Sequence, residues 1–222
     1  MSVITTNNLN KTFMMGEVEV EALKDVNIEI SSGEFVSIMG PSGSGKSTLL
    51  YLLGGLDHPT SGEVKVNGKQ LSIMEDKESS IMRRREVGFV FQFYNLIGNL
   101  NVEENIMLPI LLDGKKLKDY QERLDKILEI VGLADRREHT PRELSGGQKQ
   151  RVAVARSLIN EPEVILADEP TGNLDSETEE DIMELFQRIN KEEGNTIVQV
   201  THSKKCAEYG SRIINLKDGR VQ

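Results

Sequence analysis

The residues Gly40, Pro41, Ser42, Gly43, Ser44, Gly45, Lys46, Ser47 and Thr48 read GPSGSGKST and satisfy the spacing G-x-x-x-x-G-K-[ST] over 40–47. Directly before them lies the apolar run FVSIM at 35–39, and directly after come Leu49, Leu50, Leu52 and Leu53 at helical spacing. A strand that turns through glycines into a helix can point successive backbone N–H groups inward, at a helix end that carries partial positive charge. Few folds admit such a turn: it belongs at the carboxyl edge of a parallel sheet. In that setting Lys46 is expected to reach the β- and γ-phosphates of a nucleoside triphosphate, and the Ser47 hydroxyl to ligate Mg²⁺.

The rest of the chain supplies the sheet. Continuous apolar runs at 35–39, 87–91, 164–167 and 197–200 read as strands buried on both faces. Leu117, Tyr120, Leu124, Ile127, Leu128 and Val131 recur at spacings of three and four, which predicts one amphipathic helix. Ser176 followed by Glu179 reads as a capping box that opens a second helix, with Ile182, Leu185, Phe186 and Ile189 as its apolar face. The stretch from about 93 to 160 is helix-rich without a convincing strand, and residues around 18–30 suggest antiparallel strands. The expected architecture is α/β: a parallel-sheet core (about 1–92 and 161–222), an N-terminal antiparallel β subdomain and an inserted helical subdomain (about 93–160), all forming one 222-residue domain.

The run VILADE at 164–169 ends an apolar strand in two carboxylates and so delivers them to the edge where the phosphate loop sits. Asp168 is expected to hold Mg²⁺, through water, and Glu169 to act as general base or positioner for an attacking water. Two adjacent carboxylates beside a triphosphate would repel it without the metal.

Composition narrows the partners. A net charge of −9 and a pI near 5.0 leave no basic excess to neutralise nucleic-acid phosphates, so no nucleic-acid partner is expected. The triplet Arg83-Arg84-Arg85 reads as a solvated helix face. A single cysteine, Cys206, excludes an intrachain disulfide and fits a reducing compartment. The N-terminus shows neither a basic n-region nor an apolar h-region, and the longest apolar stretch, 106–112, is interrupted by Pro109 and falls far short of the about 20 residues needed to span a bilayer. The expectation is a cytoplasmic protein held at the inner face of the cell membrane by a partner.

A second glycine-rich helix start, Leu144-Ser145-Gly146-Gly147-Gln148 (LSGGQ), gives the chain two anion cradles. One nucleotide rarely needs both from one subunit, so the second is expected to serve the nucleotide of a neighbouring copy. With LSGGQ on the page, the whole chain resembles the ATP-binding subunit of ABC transporters. The stretches SIMGPSGSGKSTLL, GLDHPTSGEV, VGFVFQFYNLI, EENIMLPILL, ILADEPTGNLD and RIINLKDG are similar to the macrolide-export and lipoprotein-release (MacB/LolD-like) group, which includes ATPases of antimicrobial-peptide export and resistance.

The resemblance implies a P-loop NTPase (RecA-like) core binding ATP and Mg²⁺. It implies that Gln92 senses Mg²⁺ and the attacking water and leads into the loop that contacts the transporter, and that Asn173-Leu174-Asp175 crosses a dimer interface. It also implies that His202 contacts the γ-phosphate and that Phe13, where the family often has Tyr, stacks on adenine. Two departures stand out: Lys149 follows LSGGQ in place of a commoner Gln, and Ser203 follows His202 in place of Asp.

The implied partners are a second copy of the chain, in a head-to-tail ATP-dependent dimer, and an integral membrane permease. Phe93, Tyr94, Leu96 and Leu100 are expected on the groove that meets the permease. The implied function is ATP hydrolysis that energises membrane export or resistance through dimer closure. The alternative is a nucleotide-gated regulatory partner of a membrane protein that moves no substrate.

Overall fold

The structure, a computed structural model, describes residues 1–222. Its centre is a sheet of β7 (Val87–Phe91), β8 (Val164–Asp168), β9 (Thr196–Thr201), β4 (Phe35–Met39) and β10 (Arg212–Lys217), all parallel in that order, closed by the short antiparallel β11 (Arg220–Val221). Every residue of β9 is buried, as are the first four of β4 and of β8, so these strands read as mostly apolar runs, interrupted by the buried Ser37, Thr196, Gln199 and Thr201.

A second, antiparallel sheet joins β1 (Ser2–Met15), β2 (Val18–Val26), β3 (Glu29–Ser31), β5 (Ser61–Val66) and β6 (Lys69–Gln70). Helix α1 (Lys46–Leu53) lies between the two sheets. Its Leu49, Leu50, Leu52 and Leu53 are buried in one apolar core with Ile4, Val36, Val64 and Leu166. A hydrophobic run all round a short helix suits this sandwiched position.

Between β7 and β8 the chain forms only helices: α3 (Val102–Leu112), α4 (Gln121–Val131) and α5 (Gly146–Leu158), with short 3₁₀ turns. Together with α6 (Ser176–Arg188) they close a second core around Ile106, Leu128, Val152 and Phe186. Asn101 caps α3 by accepting from the Glu104 N–H at 2.8 Å, while the Asn101 N–H donates to Glu104 Oε2 at 2.9 Å.

Several expectations need correction. Residues 117–131 are not one helix: Leu117–Tyr120 form a 3₁₀ turn, and Tyr120, with φ −116° and ψ 7°, breaks it from α4. Helix α6 is capped by Asp175, which accepts from the Thr178 N–H at 3.0 Å, and Glu179 instead accepts from the Thr171 hydroxyl at 3.3 Å. The arginine triplet at the end of α2 (Asp76–Arg85) is no simple solvated face. Arg83 donates to the Gly55 carbonyl at 2.7 Å, and Arg84 and Arg85 both bind Asp113, whose side chain is only 1% exposed. The Asp113 pairs tie α2 to the end of α3, and the Gly55 bond ties it to the end of α1.

Candidate active site

The phosphate loop owes its shape to close backbone packing. A Cβ on Gly40 would lie 2.0 Å from the Leu216 carbonyl oxygen, and Gly45, which caps α1, has φ +98°, a conformation that favours glycine. Lys46 folds back under the loop and donates to the carbonyls of Gly40 and Pro41, both at 2.9 Å. Its ammonium is therefore held in the loop, with one of three donors left over. The Ser44 hydroxyl is buried without a partner.

The loop opens onto a cleft of about 770 Å³ lined by Ser42, Gly43, Gly45, Lys46, Ser47 and Thr48, by Phe13, Val20, Glu21 and Ala22 of the antiparallel sheet, and by Glu169 and His202. Phe13 is 39% exposed, with Lys11 Nζ 4.8 Å from its ring centroid. One open aromatic beside a phosphate cradle is the arrangement a planar base needs.

Behind the loop, β8 ends in Asp168. Its two carboxylate oxygens are both engaged by α1: Ser47 donates to Oδ1 at 2.9 Å and Tyr51 donates to Oδ2 at 2.8 Å. Burial and the adjacent Asp168 push the Tyr51 phenol up to about 12, so it is a donor at any ordinary pH. Ser47 and Asp168 offer hard oxygen ligands, and no group of three His, Cys, Asp or Glu side chains is gathered anywhere to hold a metal alone. Such a sparse oxygen set suits an ion that keeps most of its shell as water and phosphate.

Glu169 follows with φ +44°, rare for a residue with a side chain, and its N–H donates to the Val200 carbonyl at 3.0 Å. The turn aims its carboxylate at the cleft, where His202 Nδ1 lies 3.4 Å from Oε1. Gln92, just past β7, donates through Nε2 to Asn173 Oδ1 at 3.2 Å and accepts at its own carbonyl from Asn173 Nδ2 at 3.1 Å. A Cβ on Gly172 would stand 2.8 Å from Gln92 Nε2 and 3.4 Å from Glu169 Oε2. That glycine lets Gln92 and Glu169 converge.

Ser145 caps α5 in a reciprocal box: its Oγ accepts from the Gln148 N–H at 3.2 Å, and its own N–H donates to Gln148 Oε1 at 2.9 Å. Ser145 is exposed, Gly147 is buried, and none of Ser145, Gly146, Gly147 or Gln148 lines the cleft. Asp175 is brought close to them. Its Oδ2 accepts from the Thr178 hydroxyl at 2.8 Å, and a Cβ on Gly147 would lie 2.4 Å from Thr178 Cγ2. The Thr178 N–H and hydroxyl hold the Asp175 carboxyl below its usual range. The sequence-derived residues therefore form two groups, the cleft with the carboxylate behind it and a separate helix start of which only Ser145 is exposed.

A groove of about 440 Å³ runs along the other side of α5, lined by Leu56, Arg83, Arg84, Phe89, Leu108 and Pro109 among others. Arg156 of α5 also lines it and donates to the carbonyls of Tyr94 at 2.8 Å and Asn95 at 2.6 Å. Phe93 is 74% exposed, whereas Leu96 packs against the helical core. Sequence reasoning missed Tyr51, Gly172 and Arg156. For Tyr51 a signal existed, since it lies four residues after Ser47 and so on the same helix face.

Comparison with known proteins shows the family. The model of the ABC transporter family matches residues 23–172. An uncharacterised ABC transporter ATP-binding protein of Thermotoga maritima is 50% identical over 212 residues, covering 96% of this chain and 90% of that protein. The lipoprotein-releasing system ATP-binding protein LolD of Syntrophus aciditrophicus is 45% identical over 219 residues, covering 99% and 98%. Among solved structures, a dimeric post-hydrolysis state of the ATP-binding cassette MJ0796 of Methanocaldococcus jannaschii, bound to ADP and Pi, superposes with a TM-score of 0.89 at 47% identity, covering 99% of this chain and 96% of that one. A phosphate cradle, a carboxylate-ended strand and a displaced LSGGQ helix start, on a chain matched over nearly its full length, make this protein a member of the ABC transporter ATP-binding family, within its MacB/LolD-like group.

Proposed function

We propose that this chain is the ATP-hydrolysing subunit of a membrane export or resistance complex, working as a head-to-tail dimer of two copies. The observation that carries the dimer is the exposed Ser145, at a glycine-rich helix start lying outside the cleft of its own chain. A two-fold arrangement places that helix start over the cleft of the second copy and makes two equivalent composite sites. The dimeric MJ0796 cassette bound to ADP and Pi supports this reading.

Within each site, residues 40–48 cradle the phosphates and Phe13 stacks on adenine. Ser47 and Asp168, with Gln92, would hold Mg²⁺, which when bound neutralises charge between the phosphates. Glu169 takes or orients the proton of the attacking water, and His202 contacts the γ-phosphate while steadying the Glu169 carboxylate. Gln148 and Ser145 of the opposite copy close the site, with Asp175 at the seam. Loss of the γ-phosphate removes the contacts that hold the copies together, an order-and-release switch.

The groove beside Arg156 receives a permease segment and so holds the chain at the inner face of the membrane; Phe91 and Asn95 line it, whereas Phe93, Tyr94, Leu96 and Leu100, expected there from the sequence, do not. No helix of the chain is long and apolar enough to cross a membrane. The division into a core (about 1–92 and 161–222) and a helical subdomain (about 93–160) belongs to the same proposal, the latter moving with the permease.

The test is mass by light scattering. Purified Glu169→Gln protein is expected to be monomeric without nucleotide and dimeric with ATP and Mg²⁺. A monomer under both conditions, with ATP bound, would refute the composite site.

A further inference from the structure

Phe13 lines the nucleotide cleft, whereas Lys11, two residues earlier on β1, does not. Yet the Lys11 ammonium lies over the Phe13 ring, 4.8 Å from its centroid. A cation so placed occupies one face of the ring and leaves the other to the cleft. The Lys11 side chain is only 12% exposed, and its Nζ donates to Asp57 Oδ1 at 2.8 Å and to the His58 carbonyl at 2.7 Å. Two of its three donors are thus spent on the loop between α1 and β5, and the third is left for the ring. The same loop grips the strand itself: the Thr60 N–H donates to the Asn10 carbonyl and the Thr12 N–H to Thr60 Oγ1, both at 2.9 Å. Burial raises the Asp57 carboxyl, but the Lys11 hydrogen bond and charge, with the His58 N–H, outweigh it and hold it below its usual range.

We propose that Lys11 is a positioning residue for the adenine base: it backs the Phe13 ring with a fixed cation, so that the opposite face meets the base already oriented. Two effects act in the same direction. A ring ordered before binding loses little rotamer freedom when the ligand arrives. A cation over one face also draws π density away from the other, which eases the repulsion between two stacked π faces. Neither effect reaches the phosphates, which the loop at 40–48 holds, and the Lys11 charge is already paired with Asp57. The inference rests on the reading that Phe13 stacks on adenine.

The experiment uses the full chain with two probes, ADP and inorganic pyrophosphate, which carries phosphates without a base. ADP binding is followed by calorimetry, and pyrophosphate by its competition with ADP. Lys11→Met is expected to weaken ADP about three- to tenfold, the scale of ordering one side chain on binding, and to leave pyrophosphate unchanged. In a Phe13→Leu background, Lys11→Met should cost ADP nothing further. Should Lys11→Met fail to fold, Lys11→Gln carries the same expectations. Parental ADP affinity in the Lys11 variant, an equal loss for ADP and pyrophosphate, or the same loss with Phe13 removed each overturns the proposal. If Phe13→Leu weakens ADP while the Lys11 variant does not, this inference alone fails. Parental ADP affinity in Phe13→Leu overturns the stacking reading and this inference with it.

Discussion

Nδ1 of His202 stands 3.4 Å from Oε1 of Glu169, and both side chains face the nucleotide cleft, the histidine 67% exposed and the glutamate 27%. The pair joins two chain segments that the central sheet brings side by side, the ends of β8 and β9. The backbone of Glu169 is fixed, with its N–H anchored on Val200 and its φ in the left-handed region, so its side chain leaves the strand end in a defined direction. The carboxylate thus faces the cleft, as the general-base role proposed for it requires.

Glu169→Gln should lower steady-state phosphate release about 10³-fold, equivalent to ~4 kcal/mol of transition-state stabilisation, while ATP still binds. His202→Ala should lower turnover about 10²-fold, as expected for loss of one donor to developing charge. Phosphate release within about tenfold of the parent for Glu169→Gln would remove it from the reaction centre.

Lys46→Ala and Ser145→Arg should each abolish hydrolysis, the first by weakening ATP binding about ten- to hundredfold in calorimetry, the worth of a charged hydrogen bond. Mixed in equal amounts, the two proteins should recover about a quarter of parental turnover, because mixed dimers retain one intact composite site. A mixture no more active than its separate components would show that each chain carries its whole site.

Asp113 ties Arg84, Arg85 and Lys115 together at the junction of α2 and α3. Burial raises its carboxyl, but hydrogen bonds and charge from Arg85 and Lys115 outweigh that and hold it below the usual range. A depressed carboxyl stabilises the fold above its unfolded value of about 3.9, and the benefit disappears as pH falls through the lower folded value. Asp113→Asn should therefore lower the melting temperature at neutral pH, with the gap to the parent closing in strong acid. A gap that widens below about pH 4 would contradict the assigned ion cluster.

Gly147→Ala should destabilise the protein by about 1–3 kcal/mol through overpacking against Thr178. Thr178→Ser removes Cγ2, the atom a new Cβ would meet, yet keeps the hydroxyl that donates to Asp175. Adding it to Gly147→Ala should restore most of the lost stability in thermal unfolding, a positive coupling in a double-mutant cycle. Strictly additive losses would separate the signature from α6.

The parallel core was legible because 35–39, 87–91, 164–167 and 197–200 are apolar on both faces. Strands β5 and β10 were not, because they alternate: Val64 and Val66, or Ile214 and Leu216, point inward while their neighbours face outward. Strand β1 is polar over much of its length, and only pairing with β2, β3 and β5 makes it a strand. In the cleft, the motif residues announced themselves by spacing. Tyr51, behind the cleft, reads as packing in a leucine-rich run, and only its spacing of four from Ser47 hinted at the hydroxyl seen on Asp168.

Arg156 grips the two carbonyls just beyond Gln92 from a position eleven residues along α5 from Ser145. At the rise of a helix that separation is about 16 Å, so tilting α5 by about 10° around this grip would swing its first turn through about 3 Å. On the dimer proposed above, α5 would then act as a crank, a push on the loop after Gln92 changing the angle at which Ser145 is presented to the second copy. Spin labels on α5 and β4 should register that swing when nucleotide or a permease segment is added, and cutting the grip with Arg156→Ala should let the loop after Gln92 move without α5.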